Sequence, residues 1–328
     1  MDIQAGVLFE DVAEDTDLEG VQDTLSRTVH EWFYPELTKN PPKVWVGLAE
    51  PQPQPKLRPI YAVSDLHLGD GSARDNFAHM SEGRRPQEFE SFLDFVEEHN
   101  GQLLILGDMF ELWQSNMSKV ITHRVKLLDR LAKMGAIYIL GNHDSDLFYF
   151  MGQSQPWLTH SFFQSMRMSH TVTISGRHFH FIHGHQADKY CSGDTPSFGR
   201  ISAIYSGIWE DRHGSPMIGK YPSSLTVEKM TCGVIERFIT FVRRLMGKPG
   251  RYEEMNRQLV LLCERGEYDV LVAGHTHCAG KVRAHQVYNT GSWAEDTCSF
   301  VVVNQVGQIG LFDWVDGRAI PNSTRLDV

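Results

Sequence analysis

The chain lacks the features that would send it out of the cell, into a membrane or onto nucleic acid. No stretch of its 328 residues reaches the roughly 18 uncharged apolar residues of a membrane-spanning helix, and the opening MDIQAGVLFEDVAEDTDLEG has neither the basic start nor the apolar run of a signal peptide. Cysteine is scarce: Cys191, Cys232, Cys263, Cys278 and Cys298 are the whole set, with no CxxC pair. An odd, scattered set reads as reduced thiols filling the core of a cytoplasmic protein. A basic excess is missing too. With 41 Asp and Glu against 31 Lys and Arg the net charge is −10, so the field repels polyanions and no long nucleic acid is expected as a partner. Residues 1–58 hold 11 acidic and 5 basic side chains, which leaves the rest close to neutral.

What the chain has in quantity is histidine, 16 in all. From residue 60 a pattern recurs in which a short β-branched or Leu-rich run ends in a polar, Gly-containing cluster: IYAVSDLHLGD, QLLILGDMFELW, GAIYILGNHD, HFHFIHGHQAD and YDVLVAGHTH. Such runs fit buried strands. Between them EFESFLDFVEEHN and KVITHRVKLLDRLAKMG carry apolar residues at helical spacing, so strands and helices alternate as in α/β folds. The polar clusters then fall at the carboxyl ends of strands, where open α/β sheets hold ligands. After the last cluster, VYNTGSWAEDTCSFVVVNQVGQIGLFDW reads as β-hairpins.

Two regions depart from the pattern. Residues 1–58 form an acidic extension ending in the Pro/Gln tether AEPQPQPKLRP, which leaves 59–328 as the main domain. Between His185 and His275, VEKMTCGVIERFITFVRRLM places Val227, Met230, Val234, Phe238, Phe241 and Leu245 on one helical face, and a second helix is expected over Arg251–Arg265. This is read as a helical, lid-like insertion over about residues 190–265.

Each polar cluster alone is explained by a cap or a turn. In series they say more: Asp65-x-His67, Gly-Asp108, Gly-Asn142-His143-Asp144, His183-Gly, and Gly-His275-x-His277, in that order, each closing a predicted strand. The series resembles the calcineurin-like metallophosphoesterase superfamily over about residues 60–315. The resemblance implies a four-layer αββα sandwich and two adjacent divalent transition-metal ions, manganese first, with Fe, Zn or Co as alternatives. By the same resemblance the first ion takes Asp65, His67, Asp108 and His277, and the second takes Asp108, Asn142, His183 and His275. Two cations side by side repel, so a bridging carboxylate is needed, and mixed imidazole and oxygen ligands suit these metals better than Mg or Ca. The implied reaction is hydrolysis of a phosphodiester or pyrophosphate bond by a metal-bridging hydroxide, with His143 as proton donor to the leaving oxygen and Asp144 orienting its ring.

The insertion, with HGHQAD before it and GHTH after, is similar to the UDP-2,3-diacylglucosamine hydrolase branch. That branch implies a phosphorylated small-molecule or lipid-linked substrate, and peripheral membrane contact through the insertion. It carries Arg at the place of His143 and Asp at the place of His185, which separates this chain from it. Phosphomonoesterase, protein phosphatase, cyclic-nucleotide diesterase and a non-catalytic scaffold remain as alternatives. Among the other residues, Glu111 and Trp113 are placed at the pocket mouth or in packing, and Asn289 and Trp293 in structural support. His178 and His180 are placed together on a wet strand face, Arg84 and Arg85 in a solvated loop, His185 facing substrate or solvent, and Asp188 at the rim.

Overall fold

The computed structural model describes residues 58–72, 75–151, 160–188, 191, 250–295 and 297–328. The extension up to residue 57 and the expected helix over 227–245 lie outside the described residues. Of the predicted insertion, the helix Arg251–Arg265 is present with the expected bounds.

Two sheets carry the architecture. The first contains β1 (Ile60–Val63), β2 (Gln102–Leu106), β3 (Ile137–Ile139), β4 (Met166–Arg167), β10 (Ser299–Val303), β11 (Ile309–Val315) and β12 (Arg318–Pro321), in the order β12-β11-β10-β1-β2-β3-β4. The second contains β5 (His170–Ile174), β6 (Arg177–Phe181), β7 (Val270–Ala273), β8 (Gly280–Val282), β9 (Val287–Asn289) and β13 (Arg325–Leu326), in the order β13-β8-β9-β7-β6-β5. Strands β1 to β4 run parallel, and so do β6, β7 and β9, so the motif loops following β1, β2 and β3 gather at one edge of one sheet and those following β6 and β7 at one edge of the other. The expected C-terminal hairpin is β10–β11, antiparallel with Ser299 opposite Asp313.

Alternation along the strands explains why the sheets face each other. Ile60, Ala62, Leu104, Leu106 and Ile139 join Phe179, Phe181, Val270 and Val272 in one apolar cluster between the sheets. The intervening residues Tyr61, Val63, Leu103, Ile105 and Tyr138 point the other way, into a cluster with Phe89, Phe92, Leu93, Val120, Leu128 and Leu131. Because side chains alternate with period two and both faces are covered, these strands read as continuous apolar runs. The helices supplying the outer layer are α1 (Asn76–Gly83), α2 (Arg85–Glu98) and α3 (Met117–Met134). Helix α3 starts where the Asn116 side chain accepts from Ser118 N–H and stops at Gly135, whose φ of 67° a glycine adopts without steric cost. On the far side, α4 (Arg251–Arg265) lays Leu259, Val260 and Cys263 on Ile182, Leu271 and Ala273 of the second sheet. The layers are therefore helix, sheet, sheet, helix. No helix among the described residues is long and apolar enough to cross a membrane.

Candidate metal centre

The loops after β1, β2 and β7 turn sharply, and apart from Gly107 (φ 82°), directly before Asp108, the turning residues are not glycines. Asp65, His67, Asp108, His275 and His277 all have φ between 47° and 71°, the left-handed region that costs an ordinary residue on the order of 1 kcal/mol or more. Backbone pairing holds them there: Asp65 N–H donates to Gly107 C=O (3.1 Å) and His67 N–H to Asp108 C=O (2.9 Å). Leu66 and Thr276, between the paired residues, are buried, so Asp65 and His67, like His275 and His277, are presented together. Two glycines are required by close approach. A Cβ on Gly141 would lie 2.1 Å from Asp108 Oδ1, and one on Gly274 would lie 2.3 Å from Ser64 Oγ and 2.6 Å from Asp65 Oδ2.

The first group consists of Asp65, His67 and His277, whose ligand atoms lie within 4.8 Å of one another. Each imidazole is fixed from behind: His67 Nδ1–H donates to Glu111 Oε2 (2.9 Å) and His277 Nδ1–H to Glu295 Oε1 (2.9 Å). That leaves the two Nε2 lone pairs facing each other at 3.4 Å, with Asp65 Oδ1 3.2 Å from His277 Nε2 and 3.9 Å from His67 Nε2. The second group is Asp108, His183 and His275. His183 Nδ1–H donates to Leu106 C=O (2.7 Å), and its Nε2 lies 3.0 Å from Asn142 Oδ1 and 3.2 Å from Asp108 Oδ2. The same Asp108 oxygen is 3.9 Å from His67 Nε2, so one carboxylate reaches both groups.

With Nδ1 of His67, His183 and His277 committed as donors, what converges here is a set of acceptors: lone pairs on imidazole nitrogens, carboxylates and one amide oxygen. Asp65 Oδ1 is buried with no hydrogen-bond partner. A buried acceptor left in this state costs free energy that a cation removes, so the residues present fit two divalent ions with nitrogen and oxygen ligands. The titration behaviour points the same way. Burial raises the Asp65 carboxyl, but His277 and His183 outweigh it and hold it at about 2, while His183 is pushed up to about 9 against burial by Asp108 and Asp65. The anionic oxygens draw protons where a metal would otherwise neutralise them.

His143 stands beside this cluster. Its backbone N–H donates to Asp108 Oδ1 (2.8 Å), its Nδ1–H donates to Glu111 Oε2 (2.7 Å), and its ring stacks on Trp113 with centroids 3.7 Å apart. Burial lowers its pKa, but Glu111 and Asp108 raise it to about 9. The expectation that Asp144 orients this ring is corrected by the geometry. Asp144 accepts from Gly141 N–H (2.6 Å), Met109 N–H (2.8 Å) and the Tyr138 hydroxyl, and so ties the second and third motif loops together. Glu111 is the carboxylate on His143. The family resemblance pointed to Asp144; the residue in that place is an acid three residues after Asp108.

Other expectations are sorted as plainly. Asn289 Nδ2–H donates to Gly274 C=O (2.6 Å) and Trp293 Nε1–H to Ser299 C=O (2.9 Å), so both are structural supports as expected. Arg85 is fully buried instead of solvated, donating to Glu295 C=O (2.6 Å) and to Cys298 Sγ, and it braces the loop that carries Glu295. His178 is exposed, but His180 is buried beneath Tyr268, with rings 4.1 Å apart and nearly parallel, and bonds to Thr171 Oγ1 (2.7 Å). His185 lies with its ring 5.3 Å from that of His183; burial and the neighbouring His183 and His275 push it down to about 3. Asp188 is not at a wet rim: it is buried, with Oδ2 3.0 Å from His275 Nε2 and 2.5 Å from an Arg251 guanidinium nitrogen. Of the cysteines, Cys191, Cys263 and Cys298 are buried as expected, and Cys278 is exposed.

The chain is 29% identical over 160 residues to a UDP-2,3-diacylglucosamine hydrolase of Tolumonas auensis, a match covering 45% of this chain and 53% of the relative. The chain thus spans about half the length of the curated relative it matches. Among solved structures it is similar to the Vps29 of Entamoeba histolytica complexed with zinc (14% identity, 80% of this chain and 97% of that one, TM-score 0.38). It is also similar to a hypothetical protein of Pyrococcus horikoshii (12% identity, 78% and 88%, TM-score 0.37). The profile of the calcineurin-like phosphoesterases matches residues 58–279, a stretch that contains every ligand group described above, and the chain belongs to that metal-dependent hydrolase family.

Proposed function

We propose that the protein is a dinuclear metal-dependent phosphoesterase that hydrolyses a phosphodiester or pyrophosphate bond. The observation that carries this reading is the convergence of donor-free lone pairs from Asp65, His67 and His277 on one side of Asp108 and from Asn142 and His183 on the other, with His275 completing the second group. Bound ions, manganese first, supply Lewis acidity for the phosphoryl oxygens and activate water near neutral pH. Asp108, whose Oδ2 is 3.2 Å from His183 Nε2 and 3.9 Å from His67 Nε2, would be the carboxylate they share. Asn142 adds a neutral oxygen, which limits the negative charge that would oppose a phosphate.

His143 does the proton work. With Nδ1–H committed to Glu111, its Nε2 is engaged by none of the described residues and is the atom that donates to the leaving oxygen. Glu111 fixes the ring and stabilises its cationic form. The match to a UDP-2,3-diacylglucosamine hydrolase supports a nucleoside-diphosphate-linked, lipid-bearing substrate of that kind.

The test is a metal-reconstituted screen of monoester, aryl diester, cyclic nucleotide and nucleoside-diphosphate lipid substrates. Asp108→Asn is expected to lose at least about a hundredfold in metal-dependent hydrolysis of an aryl phosphodiester with the circular dichroism spectrum kept. Full activity in that variant sinks the shared-carboxylate assignment, and a preference for monoesters moves the substrate class.

A further inference from the structure

His275 differs from the other candidate ligands in how it is fixed. His67, His183 and His277 are each held through Nδ1 and offer Nε2. His275 is held through Nε2, which donates to Asp188 Oδ2 at 3.0 Å. The neutral imidazole then carries its lone pair on Nδ1, so the orientation of the ring and its tautomer both depend on the Asp188 contact.

Asp188 is itself placed by two separate elements. It follows a short 3-10 turn, His185–Ala187, that begins immediately after Gly184, and its N–H donates to His185 C=O (3.0 Å). One loop therefore supplies the ligand His183 and the carboxylate that aims His275. From the opposite side comes Arg251, the first residue of α4, whose guanidinium reaches the same Oδ2 at 2.5 Å. The start of α4 is anchored in turn by Gly250 N–H donating to Glu253 Oε2 (2.9 Å). Asp188, Cys191 and His275 also lie close enough to suggest a third metal site, with ligand atoms within 4.8 Å. The Arg251 charge on Asp188 Oδ2 argues against it, because a guanidinium already occupies the side from which a cation would be bound. The arrangement is a carboxylate–histidine pair serving the second ion.

We infer that Asp188, held by Arg251 of α4, is the positioning residue that orients His275 toward the second metal ion, so that occupancy of this ion depends on how the chain enters α4. This rests on the dinuclear reading above. A buried carboxylate bonded at once to a ligand ring and to the first residue of a helix transmits a shift of that helix to the ring. The first ion would be held by Asp65, His67 and His277, whose two imidazoles are anchored on Glu111 and Glu295 and not on Asp188.

The experiment titrates Mn2+ into the metal-stripped full-length chain and follows free Mn2+ by electron paramagnetic resonance. The wild type is expected to take up two equivalents. Asp188→Ala is expected to weaken one equivalent by roughly ten- to a hundredfold and leave the other unchanged. Asp188→Asn, which keeps an oxygen for the His275 N–H, recovers most of the loss, a rescue that a merely structural role does not require. Arg251→Gln weakens the same equivalent by a smaller factor. Wild-type binding of both ions in Asp188→Ala overturns the inference and leaves the dinuclear reading standing. A wild type that takes up fewer than two ions overturns that reading and the inference with it. Should Asp188→Ala fail to fold, Arg251→Gln decides alone: selective loss of one equivalent supports the inference, and an unchanged or evenly weakened isotherm overturns it.

Discussion

A single oxygen, Glu111 Oε2, accepts from both His67 and His143, one a candidate ligand and the other the proposed proton donor. Burial raises the Glu111 carboxyl, yet the two imidazoles outweigh it and hold it at about 2. Glu111→Gln should therefore disturb both functions, lowering turnover and metal affinity together by roughly ten- to a hundredfold, as read by kinetics and by metal titration. His143→Ala separates them: it should slow diesters with alkoxide leaving groups far more than nitrophenyl diesters, because nitrophenolate leaves without a proton. Equal losses on both would place the proton donor elsewhere. A different pair of histidines sets a pH limit on stability. Burial depresses His180 and His170 from 6.5 to about 4, Arg167 adding to the effect at His170. The unfolded chain binds their protons first, so the stabilisation is complete above about pH 6.5 and is lost as pH falls toward 4. For His180 alone the loss reaches about 3 kcal/mol at most. Urea unfolding at pH 7 and pH 5 should show a steeper decline in wild type than in His180→Phe, which keeps the ring on Tyr268 and cannot titrate. Identical slopes would show that His180 is not buried neutral.

At the scale of elements, the site is a set of turns more than a set of strands. The five left-handed candidate ligands are possible because the loops after β1 and β2 hydrogen-bond to each other and because Gly141 and Gly274 let the carboxylates of Asp108 and Asp65 lie against bare backbone. Gly141→Ala pushes a methyl into Asp108, and the expected result is loss of metal uptake with the sheets intact, checked by titration beside circular dichroism. Normal uptake would mean that the loop shifts freely. Here the limits of sequence reading are visible in particular residues. The strand runs, the helix Arg251–Arg265 and the placement of every motif at a strand end were legible, because period-two and 3.6-residue patterns and Gly-polar endings are local. The left-handed backbone of Asp65 or His275 was not, since only glycine announces that conformation. The partner of His143 was missed because the resemblance assigns that role to Asp144, while Glu111 comes from a neighbouring parallel strand's loop. His180 looked wet by alternation alone, and Tyr268, from the loop before β7, covers it.

At the scale of the molecule, the candidate ligands divide by sheet. The loops of the first sheet provide Asp65, His67, Asp108 and Asn142, and those of the second provide His183, His275 and His277. Elsewhere the sheets meet through apolar side chains such as Leu104, Leu106, Phe181 and Val272. Those contacts are non-directional, whereas metal–ligand bonds are short and directional. Saturation with Mn2+ at about a hundred times its dissociation constant should add about 2.7 kcal/mol of stability per independent site, measured as a rise in Tm that a chelator reverses. An unchanged Tm would count against native-state binding. The protection should also be shared: on loading, backbone amides of β2 and of β7 should exchange more slowly in step, although they belong to different sheets. Stripped of metal, the molecule is expected to part first at the edge where the motif loops meet, like a book whose binding has been cut. The ions would then fasten two halves of a fold as well as hydrolyse a substrate, and variants that cannot hold them should be measurably looser proteins.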